Sequence, residues 1–187
     1  MAIDKKGISF LRAHSAYAVR WLNAYPQWEE WLLSAQEKAI DEAVVNDLLS
    51  QALACDSLDV LMRELRLARQ RFMLLLAFRD LSGLASLAEV TQGISLFGER
   101  AIEVSVEAIR NDMKSTVGEP VGADGKYSPP IIVGMGKLGG RELNVSSDID
   151  LVFIYEDEGD TQGGSRSISY HEWYARLGKK LIGVLSE

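Results

Sequence analysis

Apolar residues recur every three or four positions through most of the first 115 residues of this chain, which is the spacing of α-helices with one buried face. One series predicts the buried face of a long central helix: Leu61, Leu65, Ala68, Phe72 and Leu75 or Leu76. A second series predicts another helix over residues 86–114, with these side chains inward: Ile94, Phe97, Ala101 and Val104. The chain is therefore predicted to begin with a mostly helical lobe.

Local signals mark where these helices begin and end. Ser57 has the side chain of an N-cap, and the Ser82-Gly83 pair predicts a break after the central helix. Tyr25-Pro26-Gln27 predicts an earlier boundary, because the residue before a proline disfavours helical geometry. The arginines of the central helix predict a solvated face with acidic partners such as Glu64: Arg63, Arg66, Arg69, Arg71 and Arg79.

The pattern changes after about residue 115. Residues 117–130 contain three of the four prolines and several glycines, which predicts a loop. A short strand is then predicted at Ile131-Ile132-Val133, and a second at Leu151–Tyr155. The polar segment 156–167 is predicted to be a second loop, and its Gly163–Arg166 part favours a flexible hairpin or disordered loop over a phosphate-binding turn. These elements predict an α+β chain with a helical lobe over 1–115 and a second unit over 116–187.

A cluster of glycines follows the first predicted strand. Gly134, Gly136 and Gly139 have the G-x-G-x-x-G spacing of dinucleotide-binding proteins. That interpretation fails because Asp148 follows Gly139 by only nine positions, which leaves no room for the crossover helix before the next strand. Lys137 does not stand in a Walker motif either. A tight turn that lets backbone approach a phosphate fits better.

Two aspartates stand at the head of the second predicted strand. Asp148 and Asp150 are two positions apart, so both side chains of an extended segment can lean toward one place while Ile149 points away. Aspartates at this spacing are more often part of a solvated loop than of a metal site. Beside a phosphate-binding turn, however, two hard anionic ligands are what magnesium-dependent phosphoryl or nucleotidyl transfer requires.

A longer string of residues resembles a known family. Gly136, eleven residues and then Asp148-Ile-Asp150 resemble the signature of polymerase-β-like nucleotidyltransferases. The string Gly-Lys-Leu-Gly-Gly-Arg-Glu-Leu-Asn, followed by Ser-Ser-Asp-Ile-Asp-Leu, is similar to one family among them, the glutamine synthetase adenylyltransferase/adenylyl-removing enzymes. The segments 61–87 and 172–182 resemble the same family, so the likeness covers most of the chain from about residue 58.

The resemblance implies roles for particular residues. It implies that Asp148 and Asp150 are catalytic and hold Mg²⁺ or Mn²⁺, and that the nucleotides AMP, ADP and ATP are substrates or products. It implies nucleotide binding by a set of turn residues: Gly136, Lys137, Gly139, Gly140 and Ser147. The implied fold is the start of a polymerase-β-like nucleotidyltransferase sheet after the helical lobe, and the implied partners are glutamine synthetase and the PII signalling protein.

The family has two copies of this domain, one that removes AMP by phosphorolysis and one that attaches it from ATP. Leu143 and Asn144 resemble the residues at these positions in the N-terminal, adenylyl-removing copy. Two alternatives to adenylyl removal stay open: adenylyl transfer from ATP, and a docking module without catalysis. The chain is expected to be truncated, with its third catalytic carboxylate farther downstream. Nearby acids are expected to form a solvated loop instead of replacing it: Glu156, Asp157, Glu158 and Asp160.

Composition narrows the class of protein further. The 187 residues have a net charge of −7 and a pI of about 5.0, which argues against nonspecific binding to nucleic acid. A single cysteine, Cys55, excludes an intrachain disulfide. No run of 18 apolar residues predicts a membrane span, and residues 1–6 lack the apolar region of a signal peptide, so a cytoplasmic location is expected.

Overall fold

Eight helices and two strands form in the part of the chain that the structure, a computed structural model, describes: residues 5–156 and 158–186. Six helices come first: α1 Lys5–His14, α2 Ala16–Ala24, α3 Trp28–Ala35, α4 Glu42–Leu53, α5 Leu58–Leu81 and α6 Leu87–Val117. The remaining elements are β1 Ile131–Gly134, α7 Gly136–Gly139, β2 Leu151–Ile154 and α8 Tyr170–Leu185. The predicted mostly helical α+β class is confirmed.

The central helix α5 begins and ends where its local signals indicate. The Ser57 hydroxyl accepts a hydrogen bond from the Val60 amide at 3.4 Å, so Ser57 is the N-cap. The helix ends at Leu81, directly before the Ser82-Gly83 pair. The face predicted to be buried is buried throughout: Leu61, Leu65, Ala68, Phe72, Leu75 and Leu76. This face makes α5 the core of the helical lobe.

The long helix α6 connects the lobe to the second half of the chain. Its N-cap is Ser86, whose hydroxyl accepts from the Glu89 amide at 3.2 Å. Phe97, Ala101 and Val104 are buried as predicted, and Ile94 is half-buried. Helix α6 packs against α4, α5 and α8, so it contacts helices from both halves of the chain.

One arginine of α5 contradicts the prediction of a solvated face. Arg63 is exposed and pairs with Glu64, but Arg79 is only 5% exposed. Arg79 pairs with Glu89 of α6 and donates to the carbonyl oxygens of Gln36 and Leu84. The prediction is wrong for Arg79 because its partners come from three separate segments, which the spacing along α5 does not reveal.

Strands β1 and β2 form an antiparallel pair whose two faces differ. The register places Ile131 opposite Ile154 and Gly134 opposite Leu151. Ile132 and Phe153 pack against the core, whereas the opposite face is exposed. The exposed side chains are Ile131, Val133, Val152 and Ile154. The sheet thus has one packed face, on which Phe153 lies beside Gly178 of α8.

Three aromatic residues of α8 hold the loop before β1. The Trp173 indole donates to the Gly118 carbonyl at 2.9 Å, and the Tyr174 hydroxyl donates to the Ser128 carbonyl at 2.7 Å. The Tyr170 hydroxyl donates to the Val121 carbonyl at 2.7 Å. The proline-rich loop is therefore bonded along most of its length, which fixes the point where β1 begins.

The predicted flexible hairpin at Gly163–Arg166 is wrong. The Ser165 and Arg166 amides donate to the carbonyls of Ser115 and Thr116, at 3.0 and 3.1 Å. Gln162 exchanges two backbone hydrogen bonds with Glu119. The loop is ordered by the end of α6, a partner 50 positions away in sequence.

Among the described residues, no helix combines the length and the apolar character needed to cross a membrane.

Candidate functional site

The glycine turn begins where β1 ends. Gly136 has φ +56°, in the left-handed region that glycine adopts without strain. A β-carbon built on Gly136 would meet no atom within 4 Å, so the space above this residue is open. Met135, the N-cap of α7, gives the first turn no side-chain hydrogen bond. The sequence-predicted Gly136 and Lys137 therefore form an exposed backbone turn.

Gly139 serves a different purpose in the same turn. A β-carbon there would lie 2.5 Å from the Gly134 carbonyl oxygen, so only glycine allows α7 to pack this closely on the end of β1. Gly140 ends α7, and its amide donates to the Gly136 carbonyl at 3.0 Å. These two glycines shape the turn through packing and hydrogen bonding of the backbone.

A hydrogen bond beyond the ends of the strands brings the turn and the aspartates together. The Met135 amide donates to the Asp150 carbonyl at 2.9 Å, which extends the β1–β2 pairing by one residue. Asp148 and Asp150 lie immediately before β2, which begins at Leu151. Gly136 therefore starts next to the segment that carries both carboxylates.

The two carboxylates have no protein partner in the described part of the chain. Asp148 and Asp150 are exposed, and within the described residues neither side chain forms a hydrogen bond or an ion pair. Lys137 is likewise exposed and unpaired there. Anionic groups two positions apart without a counter-charge attract cations, and Mg²⁺ is often held by one or two carboxylates with phosphate and water as its other ligands. The two aspartates have the ligand chemistry that such an ion requires.

No larger group of metal ligands forms in 5–156 and 158–186: no three acidic, histidine or cysteine residues come together. Of the acids after β2, the described Glu156, Glu158 and Asp160 thus do not join Asp148 and Asp150 in such a group. Glu156, Glu158 and Asp160 are exposed, in keeping with the predicted solvated loop, and Asp157 lies outside the described residues.

Asn144 and two serines build the turn that leads into the aspartates. The Asn144 side-chain oxygen accepts from the Ser146 amide at 3.0 Å and from its hydroxyl at 3.1 Å. The Ser147 hydroxyl accepts from the Asn144 amide at 3.1 Å, and the Ser147 amide donates to the Asn144 carbonyl at 3.1 Å. Because the Ser147 hydroxyl accepts this hydrogen bond through a lone pair, its own hydrogen can still be donated to another acceptor.

Helix α6 supports this segment through residues that sequence reasoning missed. The Leu143 amide donates to the hydroxyl of the buried Ser95 at 3.2 Å. Arg141 donates to both carboxylate oxygens of Glu99, at 3.0 and 3.1 Å. Ser95 and Glu99 are four positions apart on one face of α6, but nothing in the sequence links that face to a turn more than 40 residues later.

Cavities lie on both sides of the segment. One of about 530 Å³ is bordered by Asp148 and Ile149 and walled by Phe72, Phe97 and Ile182. Another of about 620 Å³ lies between α6 and the turn, with Gly139 and Arg141 on its border. Open volume on both sides leaves the turn and the aspartates accessible.

The fold defines the structural class of the protein, which is a mostly helical α+β chain. Its short sheet carries a glycine turn that adjoins two aspartates without a partner among the described residues. The family model described as glutamate-ammonia ligase adenylyltransferase matches residues 6–187, and this chain belongs to that family.

Its relatives include proteins described as bifunctional glutamine synthetase adenylyltransferase/adenylyl-removing enzyme. The one from Ralstonia nicotianae is 42% identical over 184 residues, which are 96% of this chain and 19% of the relative. The Burkholderia mallei protein is 43% identical over 180 residues, 94% of this chain and 20% of the relative. The Aromatoleum aromaticum protein is 34% identical over 189 residues, all of this chain and 20% of the relative. The chain spans about a fifth of the length of these relatives.

Proposed function

We propose that this chain contributes a nucleotidyl-transfer site that removes AMP from adenylylated glutamine synthetase. The observation that carries the proposal is the hydrogen bond from the Met135 amide to the Asp150 carbonyl, because it sets the glycine turn beside two unpaired carboxylates. The relatives' description as glutamine synthetase adenylyltransferase/adenylyl-removing enzymes supports the same reaction class.

Each part of the site has a physical task in this proposal. Asp148 and Asp150 hold Mg²⁺ or Mn²⁺, whose charge, when the ion is bound, offsets negative charge on phosphoryl oxygens. The open backbone at Gly136 lets a phosphate approach closely, and Lys137 is near enough in sequence to add a positive charge. Gly139 and Gly140 hold the shape of the turn, and Ser147 offers its hydroxyl hydrogen to an acceptor.

The proposed direction is phosphorolysis. An oxygen of inorganic phosphate forms a bond to the phosphorus of the tyrosyl-AMP, the bond from phosphorus to the tyrosine oxygen breaks, and the tyrosine takes up a proton. The products are ADP and unmodified glutamine synthetase. Support for this direction is the similarity of Leu143 and Asn144 to the adenylyl-removing copy of the family's domain. The alternative is transfer of AMP from ATP, which uses the same residues.

Glutamine synthetase is the proposed protein substrate, and the PII signalling protein is a proposed regulatory partner in the cytoplasm. A second candidate function is docking of either protein without catalysis. The extended apolar sheet face formed by Ile131, Val133, Val152 and Ile154 favours this second candidate, since such a face can be covered by a protein.

The test measures ADP released from AMP-modified glutamine synthetase in phosphate and Mg²⁺, by this chain and by a form with the full length of its relatives. Asp148→Asn and Asp150→Asn are expected to abolish release, whereas Glu158→Gln, which removes a nearby exposed carboxylate, is expected to leave it unchanged. Activity that survives both aspartate changes would refute the proposed site. Incorporation of AMP from ATP without phosphate-dependent release would instead favour the alternative direction, and partner binding without either reaction would favour docking.

A further inference from the structure

Arg141 has a backbone conformation that is unusual for its residue type. With φ +54°, it is the only non-glycine residue with a positive φ among residues 5–156 and 158–186. A side chain in this region costs free energy, and such a conformation persists only where surrounding interactions enforce it. Glycine would fit here without that cost, and glycines stand at the two preceding positions. An arginine at this position therefore indicates that interactions of its side chain compensate the cost of the backbone conformation.

The side chain of Arg141 reaches across to α6. Its Nε and Nη2 donate to the two carboxylate oxygens of Glu99, at 3.0 and 3.1 Å. This paired arrangement fixes the direction of the guanidinium as well as its position. The Glu99 side chain is 29% exposed and belongs to a helix packed on three others, so it offers a fixed anchor.

Two further contacts place the same segment against the same face of α6. The Leu143 amide donates to Ser95, one turn before Glu99. A β-carbon on Gly98 would lie 3.6–3.9 Å from side-chain carbons of Ile149, Leu143 and Leu138. Helix α6 thus lies beside both the turn and Ile149, the residue between the two aspartates.

We propose that Glu99 is a positioning residue for the nucleotidyl-transfer site. Through Arg141 it holds the left-handed reversal that follows α7, and this sets Asp148 and Asp150 relative to the open backbone at Gly136. The proposal rests on the proposed function, because it assigns Glu99 a role in the same site. Among the described residues, Glu99 forms no hydrogen bond or ion pair with either aspartate.

The experiment compares Glu99→Gln, Arg141→Gln and the double variant with the unaltered chain. Hydrogen exchange of the amides in 136–150 reports the order of the turn, and titration with ADP and Mn²⁺ reports the site. Glu99→Gln is expected to speed exchange in this segment and weaken Mn²⁺-dependent ADP binding about two- to fivefold, the range for a partly exposed ion pair. The thermal midpoint is expected to stay within a few degrees, and the second substitution is expected to add little to the first.

Glu103→Gln is the matched control, because Glu103 lies one turn further along α6 and pairs with Arg100 instead of the turn. It is expected to change neither readout. Unchanged exchange in Glu99→Gln overturns the proposal, and so does faster exchange with unchanged ADP binding, since the pair would then be structural alone. If the unaltered chain binds no ADP with Mn²⁺, the proposed function fails for this chain and, with it, the role given to Glu99; the exchange data then separately report whether Glu99 orders the turn.

Discussion

Arg79 of α5 and Glu89 of α6 form a two-bond ion pair inside the helical lobe, with Nε 2.7 Å from one carboxylate oxygen and Nη2 3.2 Å from the other. The exposed fractions of the two side chains are 6% and 18%. Arg79 also donates to the carbonyl oxygens of Gln36 and Leu84. One side chain therefore connects the end of α3, the α5–α6 loop and the start of α6.

Replacement of Arg79 is expected to destabilise the lobe strongly. Arg79→Met removes the counter-charge of Glu89 and the arginine donor to two carbonyl groups, and removal of one member of a buried ion pair costs about 3–5 kcal/mol. The matched control is Arg63→Met, which breaks the exposed pair with Glu64 and is expected to cost less than about 1 kcal/mol. The free energies of unfolding in urea measure both changes. Equal losses in the two variants would contradict a special role for the buried pair.

Low pH is expected to decrease the free energy of unfolding, because two glutamates with lowered pKa values become protonated. Burial tends to raise the pKa of Glu89, but hydrogen bonds from Arg79 and the Ile40 amide outweigh it and lower the pKa below the ordinary 4.5. The pKa of Glu119 is lowered in the same way, against the effect of burial, by hydrogen bonds from Lys114 and Arg110. A carboxylate with a lowered folded pKa stabilises the fold above its unfolded pKa, and this contribution is lost as the pH falls through the folded pKa.

The free energy of unfolding is therefore expected to be level above about pH 5.5 and to fall as the pH drops from about 4.5 downward. Urea unfolding at a series of pH values measures this dependence. Glu119→Gln is expected to make the fall shallower, because the substituted side chain no longer titrates. If the free energy of unfolding falls with pH equally steeply in Glu119→Gln, other carboxylates cause the loss of stability in acid.

Substitution of Gly164 is expected to disturb the ordered loop on α6. A β-carbon at this position would overlap the Gly118 amide nitrogen, and backbone atoms cannot move aside as a side chain does. Gly164→Ala is expected to cost about 1–3 kcal/mol, the range for overpacking. Gly183→Ala is the control, since a β-carbon there meets nothing within 4 Å and alanine favours a helix by about 0.5–1 kcal/mol. A neutral Gly164→Ala would mean that the loop can leave α6 without loss.

The contrast between local and distant partners explains how far the sequence predicted the structure. Ser57 was identified as an N-cap because its partner, the Val60 amide, lies three residues away. The turn at Gly136 and the strands beside it were equally visible as a local pattern. The prediction for Arg79 is wrong because its partners lie outside α5, at positions 36, 84 and 89, and the prediction for the Gly163–Arg166 loop is wrong because its partners are at 115 and 116.

The same limit applies to the candidate site. The residues of the glycine turn and Asp148 and Asp150 stand in one continuous string, so sequence alone could propose them together. Glu99 and Ser95 belong to α6, and the spacing of apolar residues along this helix predicts which of its faces is buried but not which segment packs there. Their contacts with Arg141 and Leu143 arise from the way α6 crosses the turn, which is tertiary information. Sequence therefore suggested the chemical groups of the site, while the fold supplied their support.

Divalent ions are expected to stabilise the chain through Asp148 and Asp150. The two carboxylates lie close in sequence without a counter-charge in the described part of the chain, so a bound cation relieves their repulsion and favours the folded state. At a Mn²⁺ or Mg²⁺ concentration about 100 times the dissociation constant, the gain is about 2.7 kcal/mol. Thermal unfolding with and without the ion measures this stabilisation.

Asp148→Asn and Asp150→Asn are expected to lose the stabilisation by the ion. Without metal, both variants are expected to unfold at no lower temperature than the unaltered chain, because each substitution removes an unpaired charge instead of a contact. Glu158→Gln is expected to keep the full gain, and a gain that persists in both aspartate variants would place the ion elsewhere.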